Sequence, residues 1–192
     1  MEALLISTGV VALAEIGDKT QLLALVLAAR FRRPVPIVLG ILVATLVNHA
    51  IAGAAGAWLA AAIGPTALRW ILGLSFLAMA AWTLIPDRLD DGDGASPAAP
   101  RFGVFGTTLV AFFLLEMGDK TQIATVALAA RYASLAAVVA GTTLGMMLAN
   151  VPAVLLGEAA ANRLPMQLVH RVAAAIFLAL GVTVLLGYGD FG

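Results

Sequence analysis

Two seven-residue segments of this chain are nearly identical and lie 101 positions apart. The first runs from Glu15 to Gln21 and reads Glu-Ile-Gly-Asp-Lys-Thr-Gln; the second runs from Glu116 to Gln122 and differs only in having Met as its second residue. Both segments lie inside long apolar stretches, and a carboxylate at the centre of a bilayer costs several kcal/mol unless something compensates it. Two matched pairs of such carboxylates therefore point to a site for a cation.

The apolar composition places the chain in a membrane. Its 192 residues are 62% hydrophobic and 11% charged, whereas a typical soluble domain is about 25% charged. The net charge is zero, which argues against nucleic acid as a partner, and the absence of cysteine excludes disulfides and thiolate ligands. Because the amino terminus has no basic region, we expect residues 3–29 to be a retained helix rather than a cleaved signal peptide.

The apolar stretches predict an all-α membrane protein with six transmembrane helices. Each stretch is close to or longer than the ~20 residues that a helix needs to cross a bilayer. The predicted spans are 3–29, 35–62, 67–86, 103–130, 133–160 and 166–188. The polar segment 87–101 is expected to be a linker rather than a calcium loop, because Arg101 stands where such a loop needs its last acidic ligand.

The 101-residue shift extends beyond the motif. Ten of the sixteen residues at 15–30 are identical to their equivalents at 116–131. We therefore expect one transmembrane domain, 1–192, made of a first repeat (1–86), a cytoplasmic linker (87–101) and a second repeat (102–192). Three spans in each repeat give the halves opposite orientations, so the predicted fold is two inverted three-helix repeats with the substrate near the midplane.

The arginines in the loops predict the orientation in the membrane. If the amino terminus lies outside, seven arginines fall on the cytoplasmic side and two on the outer side, so we expect both termini outside. The seven are Arg30, Arg32, Arg33, Arg88, Arg101, Arg163 and Arg171, and the two are Arg69 and Arg131.

The carboxylates of the motifs are the candidate metal ligands. On a continuous helix Glu15 and Asp18 share a face, as do Glu116 and Asp119. If the first and fourth spans are antiparallel neighbours, all four converge at mid-membrane, and an oxygen cluster of this kind suits calcium, magnesium or manganese. Four such groups cannot all stay ionised without a cation, so the same oxygens can hold either protons or a metal, which is the minimal chemistry of an antiporter.

Neutral polar residues supply further candidate ligands. The possible accessory residues are Thr20, Gln21, Thr121, Gln122, His49 and Asn150. An interhelical hydrogen bond is an equally simple role for His49, and His170 is expected to face the headgroups. Gly17 and Gly118 would allow close helix packing or local unwinding.

The two lysines of the motifs, Lys19 and Lys120, are expected to balance charge. An ammonium group has no lone pair to offer a metal. A simpler interpretation is that Glu15–Lys19 and Glu116–Lys120 are ion pairs within each helix that only ease membrane insertion.

At these two motifs the sequence resembles the GDT family of cation/proton exchangers, which is marked by a duplicated Glu-x-Gly-Asp-Lys/Arg-Thr/Ser in an inverted three-plus-three helix arrangement. Both copies are intact, and the resemblance covers essentially the whole chain. It implies an acidic metal site at Glu15, Asp18, Glu116 and Asp119. It also implies manganese, and after it calcium, as the transported ion, no prosthetic group, and the plasma membrane of a prokaryote.

The sequence therefore predicts a divalent cation/proton antiporter that is not an enzyme and whose partners are the metal ion, protons and the bilayer. Two alternatives stay open: an exporter of a cationic amino acid, and a membrane scaffold or assembly factor without transport activity. An intramembrane hydrolase is disfavoured because the chain offers neither a Ser/His/Asp grouping nor an HExxH motif.

Overall fold

The computed structural model describes residues 1–85, 103–156 and 166–188. All regular structure within these ranges is helical, which confirms the all-α prediction for this part of the chain. The helices are α1 (Glu2–Glu15), α2 (Lys19–Phe31), α3 (Pro34–Ala62), α4 (Pro65–Thr83), α5 (Gly103–Glu116), α6 (Lys120–Arg131), α7 (Leu135–Leu156) and α8 (Met166–Leu185). The predicted linker 87–101 and the end of the predicted fifth span lie outside the described residues.

Within the described residues, four helices are long and apolar enough to cross a membrane, namely α3, α4, α7 and α8. The other two predicted spans each consist of two shorter helices of 12 to 14 residues, α1 with α2 and α5 with α6. The prediction of one continuous helix over 3–29 and another over 103–130 is therefore wrong, because the chain leaves the helix within each motif.

Both helix breaks have the same backbone geometry. Gly17 and Gly118 adopt φ angles of +86° and +80°, a left-handed conformation that side-chain-bearing residues rarely adopt. Asp18 and Asp119 follow with extended backbone as the residues that precede α2 and α6. The expectation that the two carboxylates of each motif share one helix face is consequently wrong, since the glutamate ends one helix and the aspartate precedes the next.

Each broken pair of helices packs against the long helix of the other half. A Cβ atom on Gly141 of α7 would lie 2.6 Å from the carbonyl oxygen of Leu4 in α1. Likewise, a Cβ atom on Gly40 of α3 would lie 2.9 Å from the carbonyl oxygen of Phe105 in α5. The missing side chains at these two glycines allow the helix backbones to approach closely.

Helices α4 and α8 pack in an antiparallel arrangement. Gly73 faces Leu185, whereas Leu77, further along α4, faces Gly181, which comes earlier in α8. Between them the fully buried rings of Phe76 and Phe177 stack with their centroids 6.4 Å apart.

Each motif is flanked along the chain by residues of two apolar clusters. One cluster is formed mainly by side chains of α1, α4, α6 and α8, and the other by side chains of α2, α3, α5 and α7. The carboxylates of the motifs are buried next to this apolar packing, where they need partners to be stable.

Candidate cation site

The two helix breaks bring carboxylates of both motifs together. One oxygen from each of Glu15, Asp18 and Asp119 lies within 4.8 Å of the other two, and all three side chains are buried. Three carboxylate oxygens at this spacing are the hard ligands that a divalent cation prefers. We refer to these three residues as the carboxylate trio.

Glu116, the fourth predicted ligand, lies beside the trio and is fully buried. Its Oε2 atom is 3.4 Å from Oγ1 of Thr121 and 3.6 Å from Nε2 of His49. The same Thr121 hydroxyl lies 3.4 Å from Oδ2 of Asp119. Thr121 therefore links the two carboxylates of the second motif.

The lysines pair with carboxylates across the two halves. Nζ of Lys19 is 3.8 Å from Oδ1 of Asp119, and Nζ of Lys120 is 3.3 Å from Oδ1 of Asp18. The side chain of Lys120 is 4% exposed and that of Lys19 is 22% exposed. These pairs join the two motifs, whereas the ion pairs considered from the sequence lay within one helix.

Gln21 and Gln122 hold the backbone of the helix breaks. The Oε1 atom of Gln21 accepts a hydrogen bond from the Gly17 N–H at 2.9 Å, and that of Gln122 accepts one from the Gly118 N–H at 2.7 Å. Their side-chain amides donate to equivalent positions of α7 and α3, namely the carbonyl oxygen of Ala149 and Oδ1 of Asn48. This role of the two glutamines was not predicted from the sequence. The repeated spacing, with a glutamine four residues after the glycine in both motifs, could have indicated it.

Asn150 on α7 and His49 on α3 are equivalent under the 101-residue shift. Nδ2 of Asn150 is 3.4 Å from Oε1 of Glu15, just as His49 lies beside Glu116. Each of these polar side chains thus approaches the glutamate of the opposite motif. Nδ2 of Asn150 also lies 3.1 Å from the carbonyl oxygen of Met146 in its own helix.

Several buried polar atoms around the carboxylates have no hydrogen-bond partner among the residues that the structure describes. They are Oε2 of Glu15, Oγ1 of Thr20, Oε1 of Glu116, Oδ1 of Asn150 and both ring nitrogens of His49. Orphaned buried polar atoms are rare in folded proteins unless an ion or water satisfies them. A donor set dominated by oxygen fits a hard cation held between the two breaks.

His170 approaches the first helix break from α8. Its Nε2 atom lies 3.2 Å from the carbonyl oxygen of Ile16, the residue that follows α1. The expectation that His170 faces the headgroups did not include this contact, which forms because the first turns of α8 pack next to the interrupted helix.

Comparison with known proteins gives a consistent picture. The family described as "Divalent cation/proton antiporter GDT1" matches residues 3–91 and 104–190. Over 183 residues the chain is 51% identical to a Vibrio cholerae serotype O1 protein named "Putative manganese exporter", covering 95% of this chain and 90% of the relative. Over 207 residues it is 30% identical to "GDT1-like protein 3" of Oryza sativa subsp. indica, covering 95% and 73% of the two chains. No solved structure matches the chain significantly.

Proposed function

Because the chain belongs to the divalent cation/proton antiporter family GDT1, we propose that it exchanges one divalent cation for protons at the carboxylate trio. The observation that supports this site most directly is the approach of Glu15, Asp18 and Asp119 to within 4.8 Å of one another across two separate motifs. Manganese is the first candidate for the exported ion, since a relative with 51% identity is named as a manganese exporter. Calcium is the second, because it also binds in oxygen cages.

We further infer that the chain crosses the membrane six times. A helix of 13 residues is about 20 Å long, which is less than the ~30 Å hydrocarbon core. Neither α1 nor α2 crosses alone, but the two in succession do, and the same holds for α5 with α6. The helix breaks then lie near mid-membrane, where interrupted helices of secondary transporters bind their substrates.

The reciprocal ion pairs between the two halves support an inverted repeat. Lys19 pairs with Asp119, and the 101-residue shift converts this pair into the reciprocal pair of Lys120 with Asp18. A residue on a two-fold axis should meet its own equivalent. The stacking of Phe76 on Phe177 has this property, since the two positions differ by 101.

The charge of the site is suited to exchange of one metal ion for two protons. When the four carboxylates and the two ammonium groups of the motifs are all ionised, the cluster carries two net negative charges. One divalent ion or two protons neutralise it, and a neutral cluster avoids the cost of moving charge through a region of low dielectric constant. Protons and metal would therefore use the same oxygens at different stages of the cycle.

We propose that both termini lie outside the plasma membrane of a prokaryotic cell and that the site opens alternately to the two sides. The arginines at 30, 32 and 33 then place the end of α2 in the cytoplasm.

Metal-driven proton flux in proteoliposomes tests this function, with Mn²⁺, Ca²⁺ and Mg²⁺ supplied separately. We expect proton movement with Mn²⁺ in the wild type and its loss in Glu15→Gln, which removes a titratable group while nearly preserving shape. Glu2→Gln is the matched control, because it changes an exposed carboxylate at the far end of the same helix. Exchange at the wild-type rate by Glu15→Gln would contradict the shared site.

The same assay separates the alternatives. Proton flux driven by arginine or lysine instead of a metal would favour an exporter of a cationic amino acid. Metal flux without proton movement would indicate a channel. No flux with any of these solutes, from folded protein, would favour a scaffold or assembly factor.

A further inference from the structure

The ammonium group of Lys120 neutralises a carboxylate that a transported metal would also need. Nζ of Lys120 lies 3.3 Å from Oδ1 of Asp18, and the two side chains are only 4% and 2% exposed. Asp18 is also a member of the carboxylate trio. One carboxylate is thus both the partner of an internal cation and a candidate ligand of an external one.

The two cations cannot occupy this place together without strong repulsion. A divalent ion bound to Oδ1 of Asp18 would lie about 2.0–2.6 Å from that oxygen, and therefore no more than about 6 Å from Nζ in its present position. Water screens such a buried pair of positive charges only weakly. The ammonium group cannot join the ligand shell, because it has no lone pair. A lysine has a flexible four-carbon stem, however, so its charged end can withdraw.

Building on the proposed antiport function, we propose that Lys120 is a tethered competitor of the transported metal. Its ammonium group holds Asp18 while the metal is absent, withdraws when the metal enters, and returns when the metal leaves. Lys19 has the same role at Asp119, but with a smaller effect, because its contact is 3.8 Å long and its side chain is 22% exposed.

The returning ammonium group has a function in the transport cycle. After metal release, the site must reorient without leaving an uncompensated negative charge in the low-dielectric interior, where such a charge is costly. The lysine supplies part of that compensation from within the protein. Removing the lysine should strengthen metal binding. It should also slow the step in which the metal-free transporter reorients from one side of the membrane to the other.

Lys120→Met tests this opposition of binding and turnover. We expect the apparent Kd for Mn²⁺, measured by calorimetry, to fall about tenfold, within the usual range of coupling between two ligands. Mn²⁺/proton exchange should slow by a similar factor. Mn²⁺/Mn²⁺ exchange, measured with labelled metal, should slow less than Mn²⁺/proton exchange. In this variant the metal-loaded cluster carries one net negative charge when its carboxylates are ionised, whereas the metal-free cluster carries three.

Three further variants control for charge and position. Lys19→Met should shift the same quantities in the same direction but less. Lys120→Arg keeps the positive charge and should bind Mn²⁺ no more tightly than the wild type. Arg33→Gln removes a cation that lies outside the site, and it should change neither affinity nor exchange. A merely structural role of Lys120 would instead weaken binding and both exchange modes together.

A measurement on the wild type covers the case in which Lys120→Met does not fold. A membrane-permeant carbodiimide joins a carboxylate to an adjacent amine, so the Lys120–Asp18 cross-link should form and be detectable by mass spectrometry. Saturating Mn²⁺ should suppress it, and an unchanged yield would overturn the proposal.

The failure of this proposal can be distinguished from the failure of the proposed function. Wild-type protein without Mn²⁺-driven proton flux contradicts the antiport function itself. Wild-type protein with normal exchange, together with a folded Lys120→Met that binds Mn²⁺ no more tightly, leaves antiport standing and overturns the role of the lysine.

Discussion

Replacing Gly118 by alanine tests whether the helix break is imposed by the backbone of the motif. Gly118 has a φ angle of +80°, and a Cβ atom built on it meets no other atom within 4 Å. The substitution therefore creates no clash, and its cost comes only from holding an L-residue in the left-handed region, roughly 1–2 kcal/mol. We expect Gly118→Ala to lower the free energy of unfolding by this amount.

Gly9 is a matched control, because a Cβ atom on it also meets nothing within 4 Å. Gly9 lies inside α1, however, and in a helix interior alanine is more favourable than glycine by about 0.8–1 kcal/mol. Gly9→Ala should therefore stabilise the protein while Gly118→Ala destabilises it. The two variants add the same methyl group, so the opposite signs isolate the effect of backbone conformation.

Reversible unfolding in mixed micelles, followed by circular dichroism, measures both effects. We also expect Gly118→Ala to bind Mn²⁺ more weakly at unchanged helix content, because relaxation of the strain moves α6 and with it Asp119. If Gly118→Ala were as stable as the wild type, or if both alanines shifted stability in the same direction, the explanation of the break by glycine conformation would be refuted.

Three further predictions concern protons, packing and the break. As the pH is lowered, the wild-type affinity for Mn²⁺ should fall by about tenfold per pH unit for each proton that the metal displaces. Glu116→Gln should flatten this dependence in calorimetric titrations at several pH values. A wild-type affinity independent of pH would contradict a shared site. Gly141→Ala should cost about 1–3 kcal/mol of stability, because its Cβ atom would lie 2.6 Å from the Leu4 carbonyl oxygen and push α1 away from α7; stability equal to that of the wild type would argue against this close approach. Gln122→Met removes the acceptor of the Gly118 N–H and should cost about 0.5–1.5 kcal/mol in the same unfolding assay; stability equal to that of the wild type would show that this hydrogen bond does not hold the break.

The duplicated motif and the apolar stretches were sufficient to predict a helical membrane protein of this family. They left the interruption of the helices open, because Gly17 and Gly118 allow either close packing or local unwinding and the spacing of Glu15 and Asp18 is equally compatible with one continuous face. A glycine within an apolar helix more often marks close packing, as Gly40 and Gly141 do here, than a change of backbone direction. Only the positive φ angles of Gly17 and Gly118 distinguish the two roles, and they depend on the tertiary structure.

The partners of the charged side chains were also beyond prediction from sequence. A lysine four residues after a glutamate indicates a pair within one helix. Once the helix is broken, the partner of Lys19 is decided by which carboxylate the opposite half brings near it, and this is Asp119. The position of His170 beside the Ile16 carbonyl oxygen depends in the same way on how α8 packs against the break.

The break gives the two carboxylates of each motif different electrostatic surroundings. Glu15 is the last residue of α1 and Asp18 immediately precedes α2, so the first lies at the negative end of one helix dipole and the second at the positive end of another. Glu116 and Asp119 are arranged in the same way around the second break. A positive helix end favours negative charge, which suits the aspartates to holding a cation, whether a metal or a lysine ammonium group. A negative helix end disfavours it, which suits the glutamates to taking up protons when the metal leaves. A continuous helix would give both carboxylates nearly the same surroundings, so the interruption of the helix provides one shared site with carboxylates that differ in their affinity for protons.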